Sequence, residues 1–296
     1  MRLGGFFLKQ SRKLSFLFTL VIYALALAVG LLVYRRVAGG VLVRVFAADV
    51  AATLFLYLVS LPLGNASVYD PYWSVAPIVI LPLCILEFGA WSAGTIALLV
   101  CVSYWSIRLT ANWAYTFHGY DHQDWRYTML REKTGALYPL VSLFGIMLFP
   151  TLVVYLCLLP ALHYIQTGVV NLMTLLGFAL CLSAATLQLI ADIQLHRFQR
   201  QAANRGEIFR SGVWRHARHP NYLGEILMWW GVYAVLLSVR PDLWLLGLGA
   251  VANTLMFLFI SIPMAETRMA GYKEGFERYV KETNRLIPFA LKREKA

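Results

Sequence analysis

The residues best suited to chemistry lie in a basic loop, residues 193–222, and at the start of the apolar segment that follows it. The loop carries six arginines: Arg197, Arg200, Arg205, Arg210, Arg215 and Arg218. A guanidinium group is permanently charged and can bind two phosphate oxygens at once. The loop therefore predicts a phosphate-rich ligand. For the arginines upstream of Gly212, a loop that only fixes membrane topology is an equal alternative.

A His-Pro-Asn-Tyr run at 219–222 ends the loop, and Glu225 follows about one turn into the apolar segment. Pro220 would fix the backbone at the turn, and Asn221 could cap the new helix while its side chain faces a ligand. An unpaired carboxylate is costly in an apolar helix, so Glu225 needs a hydrogen-bond donor, for which a nearby arginine is the simple alternative. We favour a ligand site from Arg215 to Glu225, because ionisable groups within membranes are usually functional.

The amino-acid composition indicates which class of fold positions these residues. Hydrophobic residues make up 59% of the 296-residue chain, charged residues 14%, and the mean hydropathy is +0.63. A soluble domain carries about a quarter charged residues. Apolar runs of about 20 residues recur without strand-like alternation. The sequence thus predicts an all-α protein, a polytopic transmembrane helical bundle of about seven to ten helices.

Eight spans fit the pattern best. They are 14–34, 45–63, 75–89, 91–110, 138–160, 170–192, 223–239 and 243–263. The third span is short, so a re-entrant hairpin with the fourth is an alternative.

Lysine and arginine residues predict that both termini are cytoplasmic. The predicted inner segments 1–13, 111–137, 193–222 and 264–296 hold 4, 3, 6 and 8 of the 26 Lys and Arg residues. Such a bias toward the inside sets the orientation of a membrane protein. The exception is the first outer loop, with Arg35, Arg36 and Arg44. Because basic cytoplasmic loops explain most of the net charge of +11, no nucleic-acid partner is expected.

Polar and aromatic clusters fall on this inner side in four segments: Asn65 to Ser74, Tyr104 to Tyr127, Asp192 to Glu225, and Glu266 to Pro288. Topology explains their lysines and arginines but not the other polar residues beside them. We expect the four segments to form one cytoplasmic pocket. Apolar residues at helical spacing in the C-terminal tail predict a helix that lies on the headgroups or closes this pocket.

Metal and nucleotide-fold motifs are missing from the sequence. The four cysteines fall in apolar segments without metal-ligand spacing, and we interpret them as packing residues: Cys84, Cys101, Cys157 and Cys181. No HExxH motif, no GxGxxG motif after a strand and no P-loop occurs. No metal is expected, and a nucleotide would have to be held by helices and arginines.

The run from Trp214 to Glu225, followed by Trp229-Trp230-Gly231, resembles the C-terminal signature of the steroid 5α-reductase-like membrane proteins, within which it is most similar to a mainly bacterial, uncharacterised branch. Further stretches resemble the same branch: Ala191-Asp192-x-Gln194, Arg197-Phe198, Asp70-x-x-Trp73-Ser74, Trp105-Ser106-x-Arg108-Leu109 and Asp124-Trp125-Arg126-Tyr127. The resemblance implies N-terminal transmembrane helices at 1–60 and a reductase-like membrane domain at 61–296. It also implies a multi-pass protein of a bacterial inner membrane, with its cofactor site on the cytoplasmic side.

The resemblance further implies an oxidoreductase that uses NADPH to reduce a carbon–carbon double bond, conjugated to a carbonyl, in a lipophilic, steroid-like substrate within the membrane. For the cofactor phosphates it favours Arg126, Arg197, Arg215, Arg218 and Arg268, with Tyr222 and Tyr272 as hydrogen-bond donors. Asp192, Asn221 and Glu225 would bind the ribose hydroxyls or the carboxamide. His219 belongs to the same motif and is also a cofactor-binding candidate.

Reduction of an enone also needs an electrophile at the carbonyl oxygen, because negative charge builds there as hydride adds. The stretch from Cys101 to Trp105 is similar to the one that holds a catalytic tyrosine in the steroid reductases, which favours Tyr104. The glutamine–glutamate pair of those enzymes is absent here. Asp70 or Glu87 would have to substitute for it, and we favour Asp70.

Two other functions compete. The shorter motif Arg218-His219-Pro220-x-Tyr222 also occurs in the isoprenylcysteine carboxyl methyltransferases, which bind S-adenosylmethionine. That resemblance accounts for His219 and Glu266 but not for Asp192 or residues 124–127. A third possibility is a non-catalytic lipid-binding or transport protein whose basic loop meets anionic headgroups.

Overall fold

A computed structural model describes residues 11–201 and 206–288, and its regular structure there is helical. The helices are α1 Arg12–Arg36, α2 Val41–Leu63, α3 Tyr72–Phe88, α4 Ala93–Thr116, α5 Trp125–Thr134, α6 Tyr138–Val141, α7 Phe149–Tyr164, α8 Leu172–Gln199, α9 Pro220–Leu237, α10 Leu248–Met256, α11 Ile262–Ala270 and α12 Phe276–Glu282. A short π-helix, Ser142–Leu148, joins α6 to α7, and another, Phe257–Ser261, joins α10 to α11. The predicted all-α class is confirmed.

Seven segments of the described chain are long and apolar enough to cross a membrane: Arg12–Arg36, Val41–Leu63, Ala66–Phe88, Ala93–Thr116, Trp125–Tyr164, Leu172–Gln199 and Pro241–Ala270. The chain is a multi-pass membrane protein. Helix α9 lies where an eighth span was expected. Its polar residues and tryptophans lower its hydropathy, but its 18 residues reach about 27 Å, close to the thickness of the hydrocarbon core.

Two compact units make up the chain, residues 1–168 and 169–296. Helices α1 to α7 belong to the first unit, and α8 to α12 belong to the second. The functional boundary expected at residue 60 stays a prediction.

In the first unit, the chain between α2 and α3 folds back into the helix bundle. It forms a 3₁₀ turn, Ala66–Tyr69, in which Val68 is 0% and Tyr69 1% exposed. Asn65 holds this turn, since its amide oxygen accepts from the backbone N–H of Ser67. The amide nitrogen of Asn65 donates to two carbonyl oxygens of the loop after α4, those of Tyr120 (3.1 Å) and His122 (2.9 Å). Two of the predicted inner segments are therefore packed together.

One of the three cations on the predicted outer side has partners within the protein. A side-chain nitrogen of Arg44 lies 3.2 Å from a carboxylate oxygen of Glu87, and its guanidinium stacks 3.9 Å from the centre of the Tyr34 ring. This pairing reduces the apparent conflict with the positive-inside pattern.

In the second unit, α8 and α9 form a closely packed antiparallel pair. Two glycines on α9 permit this approach: a Cβ on Gly224 would lie 2.6 Å from the carbonyl oxygen of Ala184, and one on Gly231 would lie 2.6 Å from the sulfur of Cys181. Small residues commonly allow such contacts between membrane helices. The register that they set places the start of α9 opposite the last turns of α8, where Asp192 lies.

All four cysteines are buried and carry free thiols. Cys181 illustrates their packing role, because its thiol lies against α9 and contacts the carbonyl oxygen of Met228 at 3.6 Å.

Candidate functional site

A buried ionic cluster joins the start of α9 to α11. Oε1 of Glu266 accepts a hydrogen bond from Nε of Arg218 at 2.8 Å and lies 3.0 Å from Nε2 of His219. Arg218 and His219 are only 5% and 4% exposed. Arg218 Nη1 also donates to the carbonyl oxygens of Val280 and Thr283. The cluster thus supplies the ionic and hydrogen-bonding partners that buried charges require.

The C-terminal tail holds the backbone of this cluster. The N–H groups of Arg218 and His219 donate to the carbonyl oxygens of Asn284 (2.8 Å) and Arg285 (3.2 Å). The tail is not one continuous helix, because Gly275 has a left-handed φ of 70° and α12 begins only after it. The tail therefore packs against the end of the predicted ligand loop, and its predicted role, on the headgroups or over a pocket, stays a prediction.

Pro220 is the first residue of α9, and His219 is its N-cap. The prediction that Asn221 caps this helix is wrong, because Asn221 lies one residue further inside. Its side chain instead reaches across to α8, where the amide nitrogen lies 3.3 Å from Oδ1 of Asp192. The amide oxygen accepts from the N–H of Tyr222. A carboxylate and an amide predicted to bind the cofactor thus lie in contact.

A short 3₁₀ turn, Gly212–Arg215, is anchored on the end of α8. The N–H of Val213 donates to the side-chain oxygen of Gln194 at 3.0 Å, and the indole N–H of Trp214 donates to the carbonyl oxygen of Ala191 at 2.9 Å. Arg215, at the end of the turn, is exposed. This turn of the basic loop is therefore fixed against the part of α8 that carries Asp192.

Glu225 is 4% exposed, and the indole N–H of Trp229 donates to it at 3.1 Å. The expected need for a donor is confirmed. Gln188 lies one turn before Asp192 on α8 and is 1% exposed. Neither its amide nitrogen nor its amide oxygen has a hydrogen-bond partner among the described residues. Such a buried amide is costly unless a ligand or water satisfies it.

The remaining cofactor candidates of the second unit lie at its surface. Arg197, Arg215, Arg268 and Tyr272 are all exposed. Within residues 11–201 and 206–288, neither Arg197 nor Arg215 has a salt-bridge partner, so both could receive a phosphate. Arg218 differs, because two of its three side-chain nitrogens are engaged within the protein. Exposed arginines near the end of α8, together with the partly buried Asp192–Asn221 pair, fit the needs of a dinucleotide, which carries phosphates as well as hydroxyl and carboxamide groups.

Burial sets the protonation of the groups around the cluster. It lowers the pKa of the His219 imidazole below its usual 6.5, against the opposing effect of the hydrogen bond to Glu266. His219 is therefore neutral at pH 7, and its Nε2 carries the hydrogen that it donates to Glu266. Burial also raises the pKa of the Tyr279 phenol to about 12 and lowers the pKa of Lys273.

In the first unit, the hydroxyl of Tyr127 donates to Oδ1 of Asp70 at 2.7 Å. Arg126 forms two hydrogen bonds of 2.9 Å with Asp124, the N-cap of α5. Asp70 and Arg126 thus each have a partner within the protein. Tyr104 is half-buried on α4. The catalytic roles predicted for Tyr104 and Asp70, and the phosphate role of Arg126, stay predictions.

Sequence reasoning left three buried polar groups out of its set of site residues. Glu266 is the acceptor at the centre of the ionic cluster. Asp49, on α2, accepts a 2.7 Å hydrogen bond from the hydroxyl of Tyr72. Gln188 is the third. For Asp49 and Gln188 the usable signal was a polar residue inside a predicted apolar span, which is expensive there unless it serves a purpose. Among the described residues, no group of three or more His, Cys, Asp or Glu side chains is placed to hold a metal.

The chain is similar to two curated proteins. It is 27% identical over 128 residues to 3-oxo-5-alpha-steroid 4-dehydrogenase 1 of Rattus norvegicus, which covers 43% of this chain and 46% of the relative. It is 27% identical over 206 residues to an uncharacterized protein of Schizosaccharomyces pombe, which covers 60% of this chain and 59% of the relative. The chain thus spans about half the length of the curated relatives it matches. No solved structure matches it.

The family profile described as "Protein of unknown function (DUF1295)" matches residues 56–283, which include all the candidate site residues named above except Asp49. The chain belongs to the DUF1295 family.

Proposed function

We propose that this protein is an NADPH-dependent reductase of a carbon–carbon double bond, conjugated to a carbonyl, in a lipophilic substrate dissolved in the membrane. One arrangement carries the proposal: Asp192, near the end of α8, contacts Asn221, at the start of α9, and the nearby chain carries Arg197 and Arg215, which have no ion-pair partners among the described residues. The similarity to a rat steroid dehydrogenase supports the same reaction class.

In this proposal, Arg197 and Arg215 bind the cofactor phosphates, with Arg268 and Tyr272 beside them. Asp192, Asn221 and Glu225 bind ribose hydroxyls or the carboxamide, and the orphaned amide of Gln188 is a further hydrogen-bonding group on α8. The chemistry that bound NADPH supplies is a hydride for the β-carbon of the double bond. A proton from solvent, relayed by an acidic side chain, adds at the α-carbon, and NADP⁺ is released.

The ionic cluster acts as the frame of this site. Glu266 fixes Arg218 and His219, and His219 stacks on Tyr222 with ring centres 5.3 Å apart and planes 5° from parallel. Tyr222 is thereby held at the start of α9. Such a fixed backbone favours binding, because a loop that is already ordered loses less conformational entropy when its side chains bind a ligand.

A methyltransferase that uses S-adenosylmethionine is the second candidate. The 3.0 Å contact between His219 and Glu266 favours it, because the motif shared with the isoprenylcysteine carboxyl methyltransferases also accounts for these two residues. The two functions require different cofactors, so a comparison of cofactor binding distinguishes them.

The test is thermal unfolding of the purified protein in detergent with NADPH, NADH or S-adenosylmethionine. A ligand at 100 times its Kd stabilises the folded state by about 2.7 kcal/mol, so NADPH should raise the Tm by several degrees. Asn221→Ala and Glu225→Ala should each abolish this shift. Asn112→Ala, on α4 of the first unit, is the matched control and should keep it. Stabilisation by S-adenosylmethionine alone would favour the second candidate, and an undiminished shift in both site variants would exclude this site.

A further inference from the structure

The first unit contains an apolar cavity of about 340 Å³ between α1, α2 and α3. Small residues of α1 and α2 form one wall of it: Ala26, Gly30, Ala48 and Ala52. Because these residues project little or no side chain, this wall is comparatively smooth. A volume of this size lies at the lower end of the range for small-molecule sites.

The cavity lies between two contacts that join α2 to α3. Asp49 and Tyr72 join α2 to α3 at one end, and Arg44 and Glu87 join them at the other. At a rise of 1.5 Å per residue, the axis of α2 covers about 7 Å between these contacts and the axis of α3 about 22 Å. The long side chains of Arg44 and Glu87 bridge part of this difference. Helix α3 also carries prolines at 77 and 82, which commonly bend helices, and it lines the cavity from Tyr72 to Glu87.

A carboxyl–phenol pair makes one end of the cavity polar. The hydroxyl of Tyr72 donates to Oδ1 of Asp49 at 2.7 Å, and both residues line the cavity. They are 7% and 6% exposed. Asp49 is the sole acidic residue of α2. An ionisable group inside a membrane helix is expensive and generally serves a function, and here it faces a space large enough for a ligand.

The other acidic groups of the first unit are less suited to receive a ligand from this cavity. Glu87, at the far end, is paired with Arg44. Asp70 accepts from Tyr127, and neither Asp70 nor Tyr104 is among the described residues that line the cavity. The pair of Asp49 and Tyr72 is therefore the best placed to meet an oxygen atom on an apolar molecule.

We propose that this cavity binds the lipophilic substrate, a hydrocarbon body with one terminal oxygen, and that Asp49 and Tyr72 hydrogen-bond to that oxygen. The carboxyl group can donate to a carbonyl oxygen when it carries its proton, or accept from a hydroxyl when it does not. Naming the occupant as a substrate rests on the proposed reductase function. The binding site itself rests on the cavity and its polar end.

The test uses tritiated androst-4-en-3-one in detergent, with the hydrocarbon androst-4-ene, which lacks only the oxygen, as the comparison ligand. Wild-type protein should bind the ketone saturably. Asp49→Leu and Tyr72→Phe should each weaken ketone binding at least ten-fold while leaving hydrocarbon binding unchanged. Ala76→Phe, which fills the cavity, should weaken binding of both ligands. Tyr155→Phe is the matched control, because Tyr155 is a buried tyrosine outside the cavity whose hydroxyl bonds to the carbonyl oxygen of Leu42.

Unchanged binding of the hydrocarbon serves as the folding check for Asp49→Leu and Tyr72→Phe, since it reports on the cavity in which the changed residues lie. Equal ketone binding by wild type, Asp49→Leu and Tyr72→Phe would overturn the proposal, as would the absence of saturable binding to the wild type. If the ketone binds as expected but NADPH gives no stabilisation, the reductase function fails while the lipid site stands. If NADPH stabilises the protein but the ketone does not bind, the cavity assignment alone fails.

Discussion

Nε2 of His219 lies 3.0 Å from Oε1 of Glu266, although 47 residues separate them in the chain. The same carboxylate oxygen accepts from Arg218 at 2.8 Å. One acidic side chain on α11 therefore fixes the two residues that precede α9. This arrangement makes the ionic cluster a buried link between the ligand loop and the C-terminal part of the second unit, and its removal should be costly.

Glu266→Ala should destabilise the protein strongly. The change leaves the guanidinium of Arg218 buried without its carboxylate, and loss of one partner from a buried ion pair costs about 3–5 kcal/mol. Thermal unfolding in detergent should show a Tm lowered by many degrees. The control is Glu282→Ala, which removes ion pairs to Arg210 and Arg278 at the surface and should change the Tm little. Similar Tm changes in the two variants would contradict a structural role for the buried cluster.

Stability should fall as the pH drops below 6.5, and His219 should cause part of that fall. Burial lowers the pKa of His219 in the folded state, so below 6.5 the unfolded chain binds a proton more readily than the folded chain. The stabilisation is fully present above pH 6.5 and is lost as the pH falls toward the lowered pKa. Urea unfolding in detergent between pH 7.5 and pH 5 would measure it.

His219→Gln should flatten the pH dependence, because glutamine does not titrate in this range. His216→Gln, at an exposed position three residues earlier, should leave the dependence as in the wild type. A His219→Gln profile parallel to that of the wild type would show that other groups cause the loss.

The sequence allowed the helical class, the membrane spans and the positions of most helices to be predicted, because apolar runs of membrane length have few other solutions. It also identified Glu225 as a carboxylate in need of a donor. The sequence did not reveal which charged side chains would form ion pairs with each other. The contact of Arg218 with Glu266 depends on how α11 lies against α9, and no local pattern specifies that packing.

Two other features also depended on three-dimensional packing. The cap of α9 was assigned to Asn221 from residue preference, yet Pro220 occupies the first helical position and makes His219 the cap. This shift frees the amide of Asn221 to meet Asp192. The pair of Asp49 and Tyr72 was missed because Tyr72 reaches α2 only through the buried return of the chain at Ala66–Tyr69.

Gly224→Val should separate α8 from α9. Even the first carbon of a side chain at this position would lie 2.6 Å from the backbone oxygen of Ala184 and 2.4 Å from Cγ of Gln188. Overpacking of this kind costs about 1–3 kcal/mol, and here it also displaces Asn221 from Asp192. Both the Tm and the NADPH-induced shift should decrease. Gly145→Ala is the control, because its new Cβ would have only an ordinary 3.9 Å contact with Val141. An unchanged NADPH shift in Gly224→Val would argue against a cofactor site at this junction.

Arg197→Ala and Arg215→Ala should weaken NADPH binding more than they alter stability. Both side chains are exposed and neither has an ion pair within the described residues, so their removal leaves no buried charge. A hydrogen bond to a charged group contributes about 1.5–3 kcal/mol, which corresponds to a loss of roughly ten-fold to a hundred-fold in affinity. Isothermal titration calorimetry with NADPH and with NADH separates the contributions, since only NADPH carries the 2′-phosphate.

An arginine that binds the 2′-phosphate should lose affinity for NADPH but not for NADH, whereas one that binds the pyrophosphate should lose affinity for both. Arg200→Ala supplies the control, because Arg200 is an exposed arginine of the same basic loop that is not among the predicted cofactor residues. Charge alone would lower NADPH affinity in all three variants, with a dependence on salt concentration. Equal losses in Arg200→Ala, Arg197→Ala and Arg215→Ala would therefore show that the basic loop acts only as a nonspecific positive surface.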